Sequence, residues 1–314
     1  MTDSLKSVVL RDSTLREGLD TPNVSFTLEQ KLRIAGLLEQ CGVPEVEIVA
    51  PSRVSSDLEF ARLLRQAGTK LRTSGLIYAN SDRCEQDMAK GSELLDRFDL
   101  LMPLAASRAP SSPAGKMSRL NTALRQAAQG GCEFGAGFPH ATAAAADFLL
   151  EISATAVAEG AMRVTIYDTN GSADPFQVLE LIKCLMSRLD VPIFFHAHND
   201  LGMATANSMA AVFAGASGVD VTVNGLGDRA GNAPLEQVAV ALRLRKYSTG
   251  IDLSQLGTLS RAVELESGVG VSKLAPIVGE YAFCHKSPAH LACPALFEAV
   301  DPNLLFSERR IVES

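Results

Sequence analysis

Two histidines separated by one residue are the sharpest chemical feature of this 314-residue chain. His196 and His198 follow an apolar run, within the segment His196-Ala197-His198-Asn199-Asp200. Alternate residues of a β-strand face the same side, so both imidazoles can point at one ion. Imidazole is a favoured ligand of transition metals. The spacing therefore indicates a metal site, although two polar residues that merely end a strand are a second interpretation of the pair taken alone.

A charged cluster follows the first apolar run of the chain, in the segment Arg11-Asp12-Ser13-Thr14-Leu15-Arg16-Glu17-Gly18. If this loop meets the histidine pair, Glu17 completes a set of two histidines and one carboxylate, which leaves positions on the metal open for substrate. Arg16 stands beside it as a donor to a developing negative charge. Taken alone, the cluster is also consistent with a solvated ion pair in a loop.

A third polar segment is rich in glycine and reads Asn224-Gly225-Leu226-Gly227-Asp228-Arg229-Ala230-Gly231-Asn232-Ala233-Pro234. Its glycines allow backbone conformations that other residues avoid, and Pro234 suits the first turn of a helix. A single glycine-rich loop is weak evidence for phosphate binding. The side-chain oxygen of Asn232 is instead either a fourth metal ligand or a brace for the site.

The elements that must position these segments repeat one unit from residue 7 to about 246: an apolar, β-branched run, a polar loop and an amphipathic stretch. Predicted strands lie near 7–11, 45–50, 71–77, 98–103, 132–137, 163–168, 191–196 and 219–223. Predicted helices lie at 27–41, 55–67, 82–95, 116–129, 144–159, 174–188, 203–214 and 234–246.

Eight such units predict an α/β protein with a TIM (β/α)8 barrel. The strands that begin at 71 and 132 have weak periodicity, so a doubly wound open sheet is the alternative. In a closed barrel the first strand lies beside the last ones, and the carboxyl ends of all strands meet at one rim. The three polar segments would then share that rim, where barrel enzymes build their active sites.

The domain organisation follows from where the repetition stops. Residues 1–250 are predicted to form the catalytic barrel, and 251–314 a C-terminal subdomain that contacts a neighbouring subunit. That subdomain begins with a predicted helix at 254–267. The segment 105–114, rich in Ala, Ser and Pro, is predicted to be a flexible loop.

Composition excludes several classes of function. The net charge is −7 and no run of Lys or Arg stands out, so neither nucleic acid nor an anionic membrane is expected as a partner. The first residues are too polar for a signal peptide and no apolar run is long enough to span a bilayer, so we expect a cytoplasmic protein. The six cysteines contain no Cys-x-x-Cys pair, which disfavours a zinc ribbon, a redox motif or a disulfide scaffold.

The three polar segments together resemble the signatures of the DRE-TIM metallolyase superfamily. The resemblance is closest to the branch of homocitrate synthase, isopropylmalate synthase and citramalate synthase, and it extends from about residue 8 to about 312. It implies a divalent metal (Mg, Mn or Zn) held by Glu17, His196 and His198, with Asn232 contributing in some members. Arg16 matches the arginine that holds the oxo or enolate oxygen of the substrate.

The resemblance also assigns residues that bind substrate. Thr169 matches a threonine that binds the substrate carboxylate. Asn199, beside the histidine pair, is a further substrate-binding candidate, together with Arg16 and Asp20. His290 matches the catalytic histidine that the family supplies from the neighbouring subunit, which implies a homodimer. The alternative for His290 is a surface histidine in a tail.

The sequence departs from the family pattern at two places. Synthases of the family usually carry a glutamate in the loop after strand five, where this chain reads Phe134-Gly135-Ala136-Gly137-Phe138-Pro139-His140-Ala141. That loop is similar to the hydroxymethylglutaryl-CoA lyase branch, and His140 is a candidate to replace the missing acid–base group. Asp20 replaces an amide that commonly touches substrate, which should alter the choice of 2-oxo acid. The chain also lacks the regulatory domain of isopropylmalate synthases, so leucine feedback is not expected.

Three functions remain as hypotheses at this point. The first is an acyltransferase reaction, in which an acyl-CoA, expected to be acetyl-CoA, condenses with a 2-oxo acid to give a 2-hydroxy-2-alkyl dicarboxylate and CoA, with His290 as general base. The second is a carbon–carbon lyase of the hydroxymethylglutaryl-CoA lyase or aldolase type. The third is a non-catalytic barrel that binds a ligand.

Overall fold

Eight parallel strands close into a barrel in the computed structural model, which describes residues 5–50, 54–104 and 112–312. Each strand pairs with the next one along the chain, and the last pairs with the first through the register Leu10 with Val219. The predicted TIM barrel is therefore confirmed, and the open sheet is wrong. The barrel strands are β1 Val9–Asp12, β2 Glu45–Val49, β3 Arg72–Tyr78, β4 Arg97–Leu101, β5 Glu133–Phe138, β6 Val164–Asp168, β7 Ile193–Ala197 and β8 Gly218–Val221.

A helix follows each strand and packs its apolar side against the barrel. Several helices begin at side-chain caps: Thr27 forms a capping box with Gln30, and Asp174 caps a helix that starts at Pro175. The helices are α1 Leu28–Gln40, α2 Val54–Gln66, α3 Cys84–Leu94, α4 Pro113–Gln129, α5 Ala146–Ala158, α6 Pro175–Met186, α7 Ala204–Phe213 and α8 Leu235–Leu244.

Helix α4 begins earlier than the sequence predicts. It starts at Pro113 rather than at residue 116, because the Ser112 side chain accepts a hydrogen bond from the backbone N–H of Gly115. The end of the predicted loop 105–114 is therefore helical. Residues 105–111 of that loop lie outside the described residues.

The chain after the barrel packs partly on the barrel itself. The short strand Tyr247–Ser248 pairs with Lys6–Ser7, and helix α9, Leu256–Ser267, lies against α1, where Gln30 donates to Glu266 at 2.7 Å. A short helix α10, Pro288–Ala292, and a pairing of Cys284–His285 with Arg310–Ile311 complete this segment. The division into 1–250 and 251–314 stays a prediction. No helix in the described ranges is long and apolar enough to cross a membrane.

Charged side chains fill much of the barrel interior. Arg11, which the sequence placed in a rim cluster, is fully buried and donates to Asp220 at 2.7 Å and to Asp99 at 2.8 Å. Arg163 is also buried and bonds to Glu45 and Asp99. Barrel interiors are usually filled by branched apolar side chains. Here a paired ionic layer, in which every charge has an opposite neighbour, forms the floor beneath the rim.

Candidate metal centre and substrate site

The structure brings Glu17, His196 and His198 together at the rim of the barrel. Their potential ligand atoms all lie within 4.8 Å of one another, and all three side chains are buried. Oε1 of Glu17 lies 3.2 Å from Nε2 of His198, and Oε2 lies 3.8 Å from Nε2 of His196. Closure of the barrel produces this meeting, because the loop after β1 and the end of β7 flank β8.

The loop after β1 is held against β8 by a short chain of hydrogen bonds. The Asp12 carboxylate accepts from the backbone N–H and the hydroxyl of Thr14, each at 2.9 Å. The Thr14 hydroxyl in turn accepts from the backbone N–H of Val223 at 2.8 Å. This arrangement fixes where the 3-10 turn Glu17–Asp20 begins, and so it directs Glu17 inward.

Hydrogen bonds fix which nitrogen of each histidine can bind a metal. Nδ1 of His196 lies 2.9 Å from Asp220, and Nδ1 of His198 lies 3.1 Å from the backbone carbonyl of Asp168. The carbonyl is only an acceptor, and a carboxylate is one too, so each Nδ1 carries the proton. The lone pair of each imidazole is then on Nε2, the atom that faces Glu17. Oriented imidazoles of this kind are typical of metal sites.

The atoms around Glu17 fit a divalent cation. Although burial raises the pKa of the Glu17 carboxyl, the charge of the Arg16 guanidinium lowers it well below its usual range. In this tautomer the Glu17 carboxylate and the lone pair on Nε2 of His198 face each other at 3.2 Å and repel, and a cation between them would relieve that repulsion. Asn232 adds a buried Oδ1 with no hydrogen-bond partner among the described residues, while its amide nitrogen lies 2.9 Å from Nε2 of His196. This mixed nitrogen and oxygen set suits Mg²⁺, Mn²⁺ or Zn²⁺.

Arg16 is buried beside the metal set and is held by two carboxylates. Its Nε donates to Glu47 at 2.5 Å, and its Nη1 forms an ion pair with Glu17. Burial lowers the pKa of Arg16, but these two carboxylates raise it above its usual value, so the guanidinium stays charged. A fixed positive charge therefore lies next to the candidate ligands.

Thr169 and His140 meet at the same rim, in the loops after β6 and β5. The backbone N–H of His140 donates to the Thr169 hydroxyl at 2.8 Å, and His140 adopts a left-handed backbone conformation with φ of 62°. Burial lowers the pKa of the half-buried His140 imidazole, and the charge of Lys116 lowers it further. The imidazole is therefore neutral at physiological pH.

Asn199 is held by two hydrogen bonds to the backbone of neighbouring segments. Oδ1 of Asn199 accepts from the backbone N–H of Ala204 at 3.1 Å, so it supports the start of α7. The backbone of Asn199 also bonds to the carbonyl of Gly231 at 2.8 Å, which ties it to the glycine-rich loop. Asp20 is exposed at the end of its 3-10 turn.

His290 lies in α10, outside the barrel. Its described contacts are with His285, at 3.3 Å between the two Nδ1 atoms, and with the Phe297 ring, on which it stacks at 4.0 Å between centroids. None of these contacts reaches the metal set of the same chain. A role for His290 at this site therefore depends on a second subunit.

Comparison with known proteins identifies the family. Residues 7–263 match the family model named HMGL-like. The chain belongs to the HMGL-like family. It is 35% identical to homocitrate synthase 1 of Nostoc sp., over 98% of this chain and 83% of that protein. It is 36% identical to the 2-isopropylmalate synthase of Sulfurisphaera tokodaii, over 98% of this chain and 81% of that protein.

Solved structures of other proteins share the fold of this HMGL-like chain. A Bacillus subtilis HMG-CoA lyase superposes with a TM-score of 0.74 at 19% identity, over 85% of this chain and 95% of that chain. The carboxyl transferase domain of Rhizobium etli pyruvate carboxylase gives a TM-score of 0.72 at 19% identity, over 88% of this chain and 51% of that one. The resemblance to the DRE-TIM superfamily and its synthase branch is thus confirmed by the family model and by the sequence relatives.

Two residues at the site of this HMGL-like chain were not singled out from the sequence. Arg229 joins the three rim loops, because it bonds to Asp200 at 2.7 Å and to the backbone carbonyl of Thr169 at 2.7 Å. Its place in the glycine-rich segment was the available signal. Tyr167, on β6, is buried, and its ring centroid lies 4.6 Å from that of His196. In the sequence it looks like an ordinary aromatic residue of a buried strand.

Proposed function

We propose that this protein condenses an acyl-CoA, acetyl-CoA in the first instance, with a 2-oxo acid to give a 2-hydroxy-2-alkyl dicarboxylate and CoA. The observation that carries the proposal is the buried set of Glu17, His196 and His198 beside the charged Arg16. Relatives named homocitrate synthase and 2-isopropylmalate synthase, which align over nearly the whole chain, support this reaction class.

The metal set would consist of Glu17, His196 and His198, with Oδ1 of Asn232 as a fourth donor. A divalent cation bound there supplies Lewis-acid polarisation of a 2-oxo acid. Asp220 and the Asp168 carbonyl keep both imidazoles in the required tautomer. The choice among Mg²⁺, Mn²⁺ and Zn²⁺ stays a prediction.

Substrate binding is assigned to three groups at the rim. Arg16 donates to the ketone oxygen as negative charge develops on it, and Glu47 holds the guanidinium in place. The Thr169 hydroxyl already accepts a bond from the His140 backbone, so its own hydrogen is directed to another acceptor, for which a substrate carboxylate is suited. Asp20 and Asn199 are proposed to border the same subsite.

Proton transfer needs a base for the methyl group of the acyl thioester. Removal of a methyl proton lets the methyl carbon form a bond to the ketone carbon. The resulting alkoxide then takes up a proton, and water cleaves the thioester to release CoA. His290 of a partner subunit is the proposed base, which makes the active protein a homodimer. His140 is the proposed substitute for the missing glutamate. Its imidazole is neutral, and its backbone N–H donates to the Thr169 hydroxyl at 2.8 Å. The cytoplasmic location also stays a prediction.

A carbon–carbon lyase is the second candidate, because the loop after β5 carries no glutamate. Thiol release from acetyl-CoA with a divalent metal and a panel of 2-oxo acids distinguishes the two. We expect release with at least one acid, and none in Glu17→Gln. Cleavage of 3-hydroxy-3-methylglutaryl-CoA without thiol release from any acetyl-CoA mixture would favour the lyase.

A further inference from the structure

The hydroxyl of Tyr167 is a buried polar group without a hydrogen-bond partner among the described residues. The side chain is 4% exposed, so bulk water does not compensate for the missing bond. Buried hydroxyls without a partner are rare and costly, and each one in a native protein requires an explanation. The position of the Tyr167 hydroxyl indicates which kind of group would accept its hydrogen bond.

Tyr167 faces the barrel interior on the side of the metal set. Alternate residues of β6 share a face, and Thr165 bonds to Asp99 inside the barrel at 3.2 Å. Tyr167 therefore lies one step nearer the rim than the ionic floor, with its ring against His196.

The neighbouring strand is shaped to admit this side chain. A methyl group at Gly137 of β5 would lie 3.0 Å from Cε2 of Tyr167 and 2.5 Å from Cδ2 of Leu101. A side chain at this position would crowd both residues, and glycine leaves the space to them. The ring of Tyr167 and the side chains of Leu76 and Leu101 form a small apolar cluster of their own, separate from the main core.

This arrangement gives the interior near the rim two unlike sides. One side carries Arg16, Glu17 and His196, and the Tyr167 ring, which packs on His196, leads from it to Leu76 and Leu101 on the other side. A short aliphatic 2-oxo acid has the same division, with a polar carboxylate and ketone at one end and an apolar chain at the other. A 2-oxo acid with a second carboxylate would find no cation among the three side chains of the apolar cluster.

We propose that Tyr167 is a residue of the 2-oxo acid subsite, whose hydroxyl donates a hydrogen bond to the bound acid and whose ring, with Leu76 and Leu101, restricts the subsite to short apolar side chains. This inference rests on the proposed function and names its substrate class. The hydroxyl acts as a neutral donor, and the Tyr167→Phe variant removes it while it retains the ring.

Binding without acyl-CoA tests the inference separately from turnover. Calorimetric titrations of the metal-loaded protein with pyruvate, 2-oxobutyrate, 3-methyl-2-oxobutanoate and 2-oxoglutarate would compare wild type, Tyr167→Phe and Tyr167→Ala. Tyr247→Phe is the matched control, since Tyr247 lies in a short strand at the opposite end of the barrel. Metal content by mass spectrometry would be measured for each variant.

The expected result is a Kd for pyruvate about 3- to 10-fold higher in Tyr167→Phe, with unchanged metal content and an unchanged control. Tyr167→Ala should shift the preference toward 3-methyl-2-oxobutanoate by about 10-fold or more. Wild-type affinity in Tyr167→Phe would overturn the hydroxyl assignment even if the alanine variant fails to fold, and an unchanged order of affinities in a folded Tyr167→Ala would overturn the size restriction.

Two wild-type outcomes separate this inference from the proposed function. If wild type binds pyruvate, Tyr167→Phe weakens that binding and no mixture with acetyl-CoA releases thiol, the subsite stands and the condensation is refuted. If wild type binds none of the four acids, the subsite itself is refuted.

Discussion

The histidines at the rim of the barrel and those of the C-terminal segment are held in different ways. His196 and His198 lie at the end of β7, and groups fixed by the neighbouring strands β6 and β8 hold both Nδ1 atoms. His285 and His290 lie in short elements outside the barrel, and each Nδ1 faces the other at 3.3 Å. Strand register therefore determines the geometry of the first pair, whereas local side-chain contacts determine that of the second.

The C-terminal pair also has a different electrostatic setting. Nε2 of His285 lies 3.0 Å from Glu298, which Arg309 binds through two nitrogens at 2.6 Å. No third ligand joins the two histidines in the described part of the chain, whereas Glu17 joins the rim pair. The rim set therefore suits a cation held by one chain, whereas any action of His290 at that rim would need a partner subunit.

The largest expected effect follows from loss of a rim histidine. His196→Ala should remove the bound metal and lower kcat/KM by about a thousand-fold, since one of three protein ligands is lost. Metal analysis after dialysis and thiol-release rates would measure both. Asp190→Asn, an exposed change at the opposite end of the barrel before β7, is the control. Full metal occupancy in a folded His196→Ala would contradict the metal assignment.

His290→Ala is expected to lower kcat by about a hundred-fold or more and to leave metal content unchanged, because it removes a base and no ligand. Mixing this variant with Glu17→Gln should restore about a quarter of wild-type activity after random exchange of subunits, because one site of each mixed dimer is intact. Activity assays before and after exchange would measure the recovery. Its absence in mixed dimers proven by mass spectrometry would refute delivery of His290 by the partner.

The carboxylates beside the two histidine pairs should differ in their effect on metal affinity. Asp220→Asn removes the carboxylate that orients His196 and should weaken metal affinity about 10- to 100-fold. Glu298→Gln removes the corresponding group beside His285 and should leave metal affinity unchanged. Titration with a competing chelator would give both values. Equal losses in the two variants would contradict the contrast between the regions.

The same contrast explains what the sequence could predict. The barrel and the meeting of Glu17 with the two histidines follow from hydrophobic periodicity and strand alternation, which place alternate residues on one face. His290 was assigned only through family resemblance, since no periodicity governs its segment. The start of α4 differed from prediction because a cap at Ser112 outweighed the loop-like composition.

Other features depend on long-range packing and could not be predicted from one sequence. Arg11 and Arg163 are of a residue type that is mostly exposed, and only their pairing across the barrel with Asp99 makes their burial favourable. The missing partner of the Tyr167 hydroxyl becomes visible only when its neighbours are placed. The role of Gly137 likewise follows from a contact between strands rather than from a turn.

The last expected effect concerns stability rather than activity or metal binding, because two carboxyl groups couple pH to stability in opposite directions. Burial raises the pKa of Glu236, at the start of α8, to about 7, whereas the Arg309 hydrogen bonds lower the pKa of Glu298 to about 2. The native state retains a proton on Glu236 that the unfolded state loses above its ordinary pKa, so stability falls as pH rises toward 7. Glu298 acts in the opposite direction: it stabilises its segment above the ordinary pKa, and this stabilisation is lost as pH falls toward 2.

Glu236→Gln removes the loss of stability that the Glu236 carboxyl causes as pH rises. The free energy of unfolding of this variant, taken relative to that of wild type, should therefore increase by about 3 kcal/mol from pH 5 to pH 8. Urea unfolding of both proteins at the two pH values would measure this gain. For Glu298→Gln, hydrogen exchange of residues 284–312 should differ from wild type at pH 5 and converge with it as pH approaches 2. If the free energies of unfolding of Glu236→Gln and wild type change with pH in parallel, Glu236 is ionised in the native protein at pH 5. The buried rim would then tolerate a charged carboxylate as readily as the C-terminal segment does.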